Sequence, residues 1–166
     1  MASEINVREA TRDDVEAIRS IARRSWGEAY EDVLSDETVD ELLAAGYSTA
    51  AIEELVTSPE AELFVATANG EPVGYASTTP DESERIGDVS VYVEPERWGE
   101  GIATRLLERT EAALREREIE RVRDSVLVEN DAGNAFYGAR YQKVDQRDVE
   151  IGGETHRANV YEGEID

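Results

Sequence analysis

The spacing of apolar residues along the chain changes several times, and each change marks an element. Ile5 and Val7 alternate with polar neighbours and run into Thr11-Arg-Asp-Asp14, the spacing of a helix-capping box. Val15, Ile18, Ile21, Ala22 and Trp26 then recur at three- and four-residue intervals, which puts them on one helical face. A second helical pattern follows Ser35 through Val39, Leu42 and Leu43, and a third carries Ile52, Leu55 and Val56 and stops before Pro59. The period next drops to two. Residues 62–67 and 72–77 flank Ala68-Asn-Gly-Glu71, and Asn-Gly between two apolar runs predicts a hairpin. Val89, Val91 and Val93 form a further alternating strand. Helical spacing returns with Ile102, Leu106, Leu107, Thr110, Ala113 and Leu114. Residues 122–128 read as a strand, 132–139 as a short helix, and 143–151 with 157–165 as a hairpin closing on Gly152-Gly153. The order is βααα, ββ, βα, βα, ββ, which predicts an α/β (α+β) fold with one mixed sheet and helices on both faces. With no repeat, low-complexity run or linker, residues 1–166 are expected to form one domain.

Composition changes the picture in one respect. Thirty-nine acidic residues against seventeen basic ones give a net charge of -22, while 40% of residues are still hydrophobic. Lys143 is the single lysine among the basic residues, so acid stands where surface lysine is usual and the core is preserved. Such a surface repels itself less where salt shortens the screening length, and the composition resembles that of halophilic cytoplasmic proteins. Its sign argues against nucleic acid or an anionic membrane as partner. The absence of cysteine excludes thiolate catalysis and cysteine-ligated metal, and no metal site is expected. No apolar run approaches a membrane span and residues 1–14 carry no apolar signal region, so a cytoplasmic protein is expected.

The stretch at 91–104, VYVEPERWGEGIAT, carries the candidate chemistry. A strand, a glycine-bearing turn and a helix start together present unpaired backbone N–H groups and a helix dipole to an anion such as phosphate. A Walker A loop is excluded because Ile102 follows Gly101, and Thr104 stands where a dinucleotide fingerprint has its third small residue. By itself the turn is better explained as a helix start with glycines chosen for geometry. In company it is more specific. Trp98-Gly-Glu-Gly-Ile-Ala103 resembles the Gln/Arg-x-x-Gly-x-Gly/Ala coenzyme loop of the GNAT superfamily of N-acetyltransferases, with Trp98 at the polar position. Asn130-Asp-Ala-Gly-Asn-Ala-Phe-Tyr137 resembles the family's second motif, and Trp26-Gly-Glu-Ala-Tyr30 with Leu34-Ser-Asp-Glu37 resembles a segment of its small-molecule members.

The resemblance covers essentially the whole chain and implies a GNAT fold of about seven strands and an acetyl-CoA-dependent N-acetyltransferase. The acceptor it implies is a primary amine on a small molecule, polyamine, peptide or protein. It implies that Val91, Tyr92 and Val93 contact pantetheine, with an N–H near Val93 polarising the thioester. Trp98, Gly99, Glu100, Gly101, Ile102, Ala103 and Thr104 would wrap the pyrophosphate, and Asn130 would hold the pantetheine arm or cap a helix. Tyr137 would protonate the leaving thiolate, or else serve as a packing aromatic. Asp88 is the candidate base, or else a solvated surface carboxylate, and Glu129 is a second candidate, or else a residue that only precedes a helix cap. Trp26 and Tyr30, four apart on one helix, are expected to line the acceptor pocket or to cover the core edge. Arg97 and Arg105 flank the turn as counter-charges for phosphate. His156, the lone histidine, is expected on an exposed loop. Arg140-Tyr141 replaces the family's Gly-Phe pair in a segment one residue shorter, which leaves the register of the last hairpin open. A non-catalytic acyl-CoA binder of the same fold is the alternative, and a monomer or homodimer is expected.

Overall fold

In the computed structural model residues 4–30, 33–151 and 153–165 are described. Strand β1 (Ile5–Glu9) leads into a 3₁₀ turn (Arg12–Asp14) and helix α1 (Val15–Ala29). Asp14 fixes that entry: its carboxylate accepts from the Thr11 N–H at 2.8 Å and pairs with both Arg8 guanidinium nitrogens, which holds its pKa below the usual carboxylate range. Helices α2 (Asp36–Gly46) and α3 (Thr49–Thr57) start on serine caps, Ser35 accepting from the Thr38 N–H and Ser48 from the Ala51 N–H, each at 3.1 Å. Strands β2 (Glu62–Ala68) and β3 (Glu71–Asp81) are joined by Asn69 and Gly70. Both have positive φ, 53° and 88°, as the tight hairpin turn requires.

The chain continues as β4 (Ile86–Val93), a 3₁₀ turn (Pro95–Arg97), α4 (Ile102–Glu116), β5 (Arg121–Leu127), α5 (Asp131–Arg140), β6 (Gln142–Ile151) and β7 (Glu154–Glu164). The seven strands form one mixed sheet in the order β1-β2-β3-β4-β5-β7-β6, in which only the β4–β5 pairing is parallel. Val15, Ile18, Ile21 and Ile52 pack α1 and α3 on one face against Leu63, Val65 and Tyr75. Ile102 and Leu106 of α4 cover the other face against Phe64, Ala66 and Ala76, and Leu107 and Leu114 pack with Val122, Val126 and Tyr137. The predicted alternation of faces therefore holds on both layers.

The last hairpin has a definite register, with Gln142 opposite Glu162 and Ile151 opposite Glu154 and a bulge between Lys143 and Asp145. Tyr141 helps set it: its ring lies so close to Gly163 that an added Cβ there would sit 2.1 Å from the ring, and its hydroxyl donates to Glu111 at 2.8 Å. Of the glycine pair expected at the tip, Gly152 lies outside the described residues and Gly153 has φ +82°. Strand β7 starts earlier than the apolar pattern predicts, and this corrects His156. It stands on the strand opposite Val149, its side chain only 9% exposed, with Nε2 3.7 Å from the Glu154 carboxylate.

Candidate functional site

Pairing between β4 and β5 is confined to Ile86–Asp88 against Arg121–Arg123, after which the two strands part. Because the Glu94 N–H bonds the Val73 carbonyl of β3, ladder alternation turns the backbone groups of Val91 and Val93 away from β3 and toward this split. A cavity of about 350 Å³ fills it. Its walls come from α1 and its C-cap (Trp26, Tyr30), β4 (Val91 to Val93), the turn and first residues of α4, β5 (Asp124 to Val126) and α5 (Phe136, Tyr137).

The rim at the start of α4 leaves its first backbone N–H groups without a capping side chain, an arrangement that favours an anion in general. Gly101 is the N-cap, with no side chain to bond the orphan N–H groups of Ile102, Ala103 and Thr104, which point out of the helix start. Gly99 and Gly101 have φ +86° and +82°, and an added Cβ at either would meet nothing within 4 Å. Glycine is needed there for the left-handed backbone, not for space. Trp98 does not mimic a polar side chain reaching for phosphate; its indole N–H donates to the Val93 carbonyl at 2.8 Å. Ser25 donates to that same carbonyl at 2.7 Å. Two bonds saturate the Val93 oxygen, so of its backbone pair only the N–H can serve a bound molecule.

At the closed end, Tyr137 is 4% exposed and its hydroxyl has no hydrogen-bond partner of regular geometry. Burial, and then the negative charge of Asp124 beside it, push its pKa well above that of a free phenol. Asp124 lines the cavity on β5, and its carboxylate accepts from the Ser125 N–H at 2.8 Å. Desolvation pushes its pKa up to about 7, with its bonding to Tyr137 and Ser125 opposing and Asp88 adding a small rise. Sequence reading passed over Asp124 because acid is everywhere in this chain; the distinguishing signal, a carboxyl placed between Val122 and Val126 on the face packed against α5, needs the strand's orientation.

The expected site residues divide accordingly. Trp26, Tyr30, Val91, Tyr92, Val93, Trp98, Gly99, Gly101, Ile102, Ala103, Thr104, Asn130 and Tyr137 all border the one cavity. Asn130 caps α5 through the Gly133 N–H at 2.9 Å and donates to the Tyr30 hydroxyl at 3.3 Å, tying α5 to α1. Four residues fall elsewhere. Asp88 is not on the cavity wall: it sits where β4 and β5 still pair, its carboxylate accepting from Nε and Nη2 of Arg123 at 2.8 and 3.1 Å. Glu100 points to solvent and pairs with Arg97 at 3.3 Å. Arg105 is turned back to the Ile5 carbonyl at 2.6 Å. Glu129 is exposed beside the α5 cap.

A split sheet with a glycine-capped helix at its mouth and a buried tyrosine at its base defines a class of folds, and comparison with known proteins identifies it. The acetyltransferase (GNAT) family profile matches residues 15–141. The PaiA N-acetyltransferase of Thermoplasma acidophilum, crystallised with coenzyme A, aligns over 97% of this chain and 99% of its own, with 20% identity and a TM-score of 0.84. The Salmonella typhimurium protein YncA, solved with its cofactor acetyl-CoA, aligns over 98% and 94% at 22% identity and TM-score 0.70. The ribosomal-protein-S18-alanine N-acetyltransferase of Escherichia coli aligns over 98% and 95% at 18% identity and TM-score 0.70. No curated protein sequence matches significantly. The chain belongs to the acetyltransferase (GNAT) family, and is an acyltransferase.

Proposed function

We propose that this protein is a single-domain, cytoplasmic N-acetyltransferase that moves the acetyl group of acetyl-CoA to a primary amine by direct attack, with both substrates bound together. The observation that carries the reading is the pairing of an anion-ready helix start at the cavity mouth with Tyr137 and Asp124 at its closed end. The residues present fit the coenzyme: Gly99 and Gly101 with the first N–H groups of α4 would hold the pyrophosphate, and the N–H groups of Val91 and Val93 would lie along the pantetheine arm. Bound there, acetyl-CoA supplies the activated acetyl group.

The chain's own groups then handle the protons. The acceptor arrives as an ammonium ion, and Asp124, with a pKa near neutrality, takes its first proton directly or through one water. As the C–N bond forms and the C–S bond breaks, Tyr137 gives its hydroxyl proton to the departing sulfur. The second nitrogen proton, shed as the amide forms, restores Tyr137. A phenol held well above its ordinary pKa is a weak acid, so it stays protonated near neutral pH until negative charge develops on the departing sulfur, and its phenolate is basic enough to take up the second nitrogen proton. The N–H of Val93 supplies an oxyanion donor for the reacting carbonyl.

Calorimetric titration with acetyl-CoA in molar KCl, followed by thiol release with a panel of amines, tests the reading. Saturable binding and amine-dependent release, lost in Tyr137→Phe, are expected. Binding without release would instead support a non-catalytic acyl-CoA binder, and a folded protein that does not bind would end both readings.

A further inference from the structure

We infer that the acceptor is a lone cation on an apolar stem, an alkyl- or arylalkylamine, and not an α-amino acid or other zwitterion. This rests on the acetyltransferase reading and adds the substrate class. The acceptor half of the cavity is an aromatic corner: the Trp26 ring lies 6.0 Å from Tyr30 at a near-perpendicular angle and 6.1 Å from Tyr92, and all three border the cavity. Their faces attract a cation, and their area accepts an apolar stem. Asp124 is the charged group among the described residues on this side of the cavity.

A carboxylate on the substrate would find no counter-ion among the described residues on this side of the cavity. Arg123 is clamped in both hands by Asp88, at 2.8 and 3.1 Å. Arg97 stands at the phosphate turn with Glu100. Arg147, the remaining cation whose charge reaches Asp124, is exposed on β6 and does not border the cavity. A zwitterion bound by its ammonium end would thus bring an unpaired anion toward Asp124 in a desolvated corner, where like charges and missing partners are costly.

Three acceptors that share one stem separate charge from shape: 2-phenylethylamine, L-phenylalanine amide and L-phenylalanine. With acetyl-CoA binding measured in parallel by calorimetry, kcat/KM for thiol release is expected to be at least about a hundredfold higher for the first two than for phenylalanine. Tyr92→Leu is expected to raise KM for phenylethylamine several-fold. Phenylalanine used as well as its amide would overturn the inference and leave the acetyltransferase reading standing. Turnover of none of the three by protein that binds acetyl-CoA and acetylates some other amine would overturn it too. Failure to bind acetyl-CoA at all would instead remove the underlying reading.

Discussion

Replacing Asp124 by asparagine tests the centre of the proposed chemistry, because it should do opposite things to stability and to activity. Folding carries this carboxyl from the 3.8 of a free side chain to about 7, a rise of about three pKa units. At about 1.36 kcal/mol per unit, ionised Asp124 opposes folding by at most about 4 kcal/mol. Its contact with the cavity lets water share that cost, so about 2 kcal/mol is a reasonable figure. Below pH 3.8 the carboxyl is protonated in the folded and unfolded chains alike, and Asp124→Asn should match the parent. Between pH 3.8 and 7 the unfolded chain ionises freely while the folded one holds its proton, so the parent loses stability and the asparagine variant does not. Above pH 7 the gap is constant, with the variant about 2 kcal/mol more stable, or about 4–8 °C in Tm. Thermal unfolding at pH 4.5 and pH 8 in molar KCl measures it. In the same variant kcat should fall by about 10²–10⁴-fold, and the rise in rate near pH 7 should vanish, with the affinity for acetyl-CoA unchanged. A variant that is less stable at pH 8, or equally shifted at both pH values, would show that the ionised carboxyl is well satisfied in the fold and refute the reasoning.

Four further outcomes follow from the geometry. Tyr137→Phe removes a hydroxyl with no regular hydrogen-bond partner, so stability should hold or rise slightly while kcat drops by at least about 10²-fold, read by circular dichroism melts beside thiol release. Gly101→Ala forces a Cβ onto a φ of +82°; about 1–2 kcal/mol of stability should be lost and acetyl-CoA binding weakened, although no neighbour is struck. Gly163→Ala meets the Tyr141 ring head-on, so it should cost about 1–3 kcal/mol in chemical denaturation and leave the coenzyme affinity of the surviving folded protein alone. With a net charge of -22 around a polyanionic co-substrate, acetyl-CoA affinity should weaken as KCl is lowered from 2 M to 0.2 M while the protein stays folded; a steady rise in affinity would count against it.

Much of this architecture could be read from the chain alone because its causes are local. The three- and four-residue spacing of Val15 to Trp26 and of Ile102 to Leu114, the Asn69-Gly70 turn, and the serine caps at Ser35 and Ser48 each act within a few residues, and each stands where the pattern predicts. The glycine turn and Tyr137 were legible for the same reason, as motifs of fixed spacing. Which carboxylate faces the cavity was not. Asp88 and Asp124 stand one residue apart in the β4–β5 alignment, where Asp88 pairs with Arg123, yet one meets an arginine in solvent and the other a buried tyrosine. That difference exists only once β4 and β5 separate and α5 is laid across the gap, since burial and proximity to charge are properties of packing and not of residue type. The same holds for His156, Arg105 and the Val93 carbonyl, whose partners Val149, Ile5 and Ser25 lie on other elements. The sequence by itself determined the elements and the glycine turn; the choice of which charges are desolvated, and hence which can do chemistry, was made by the tertiary structure.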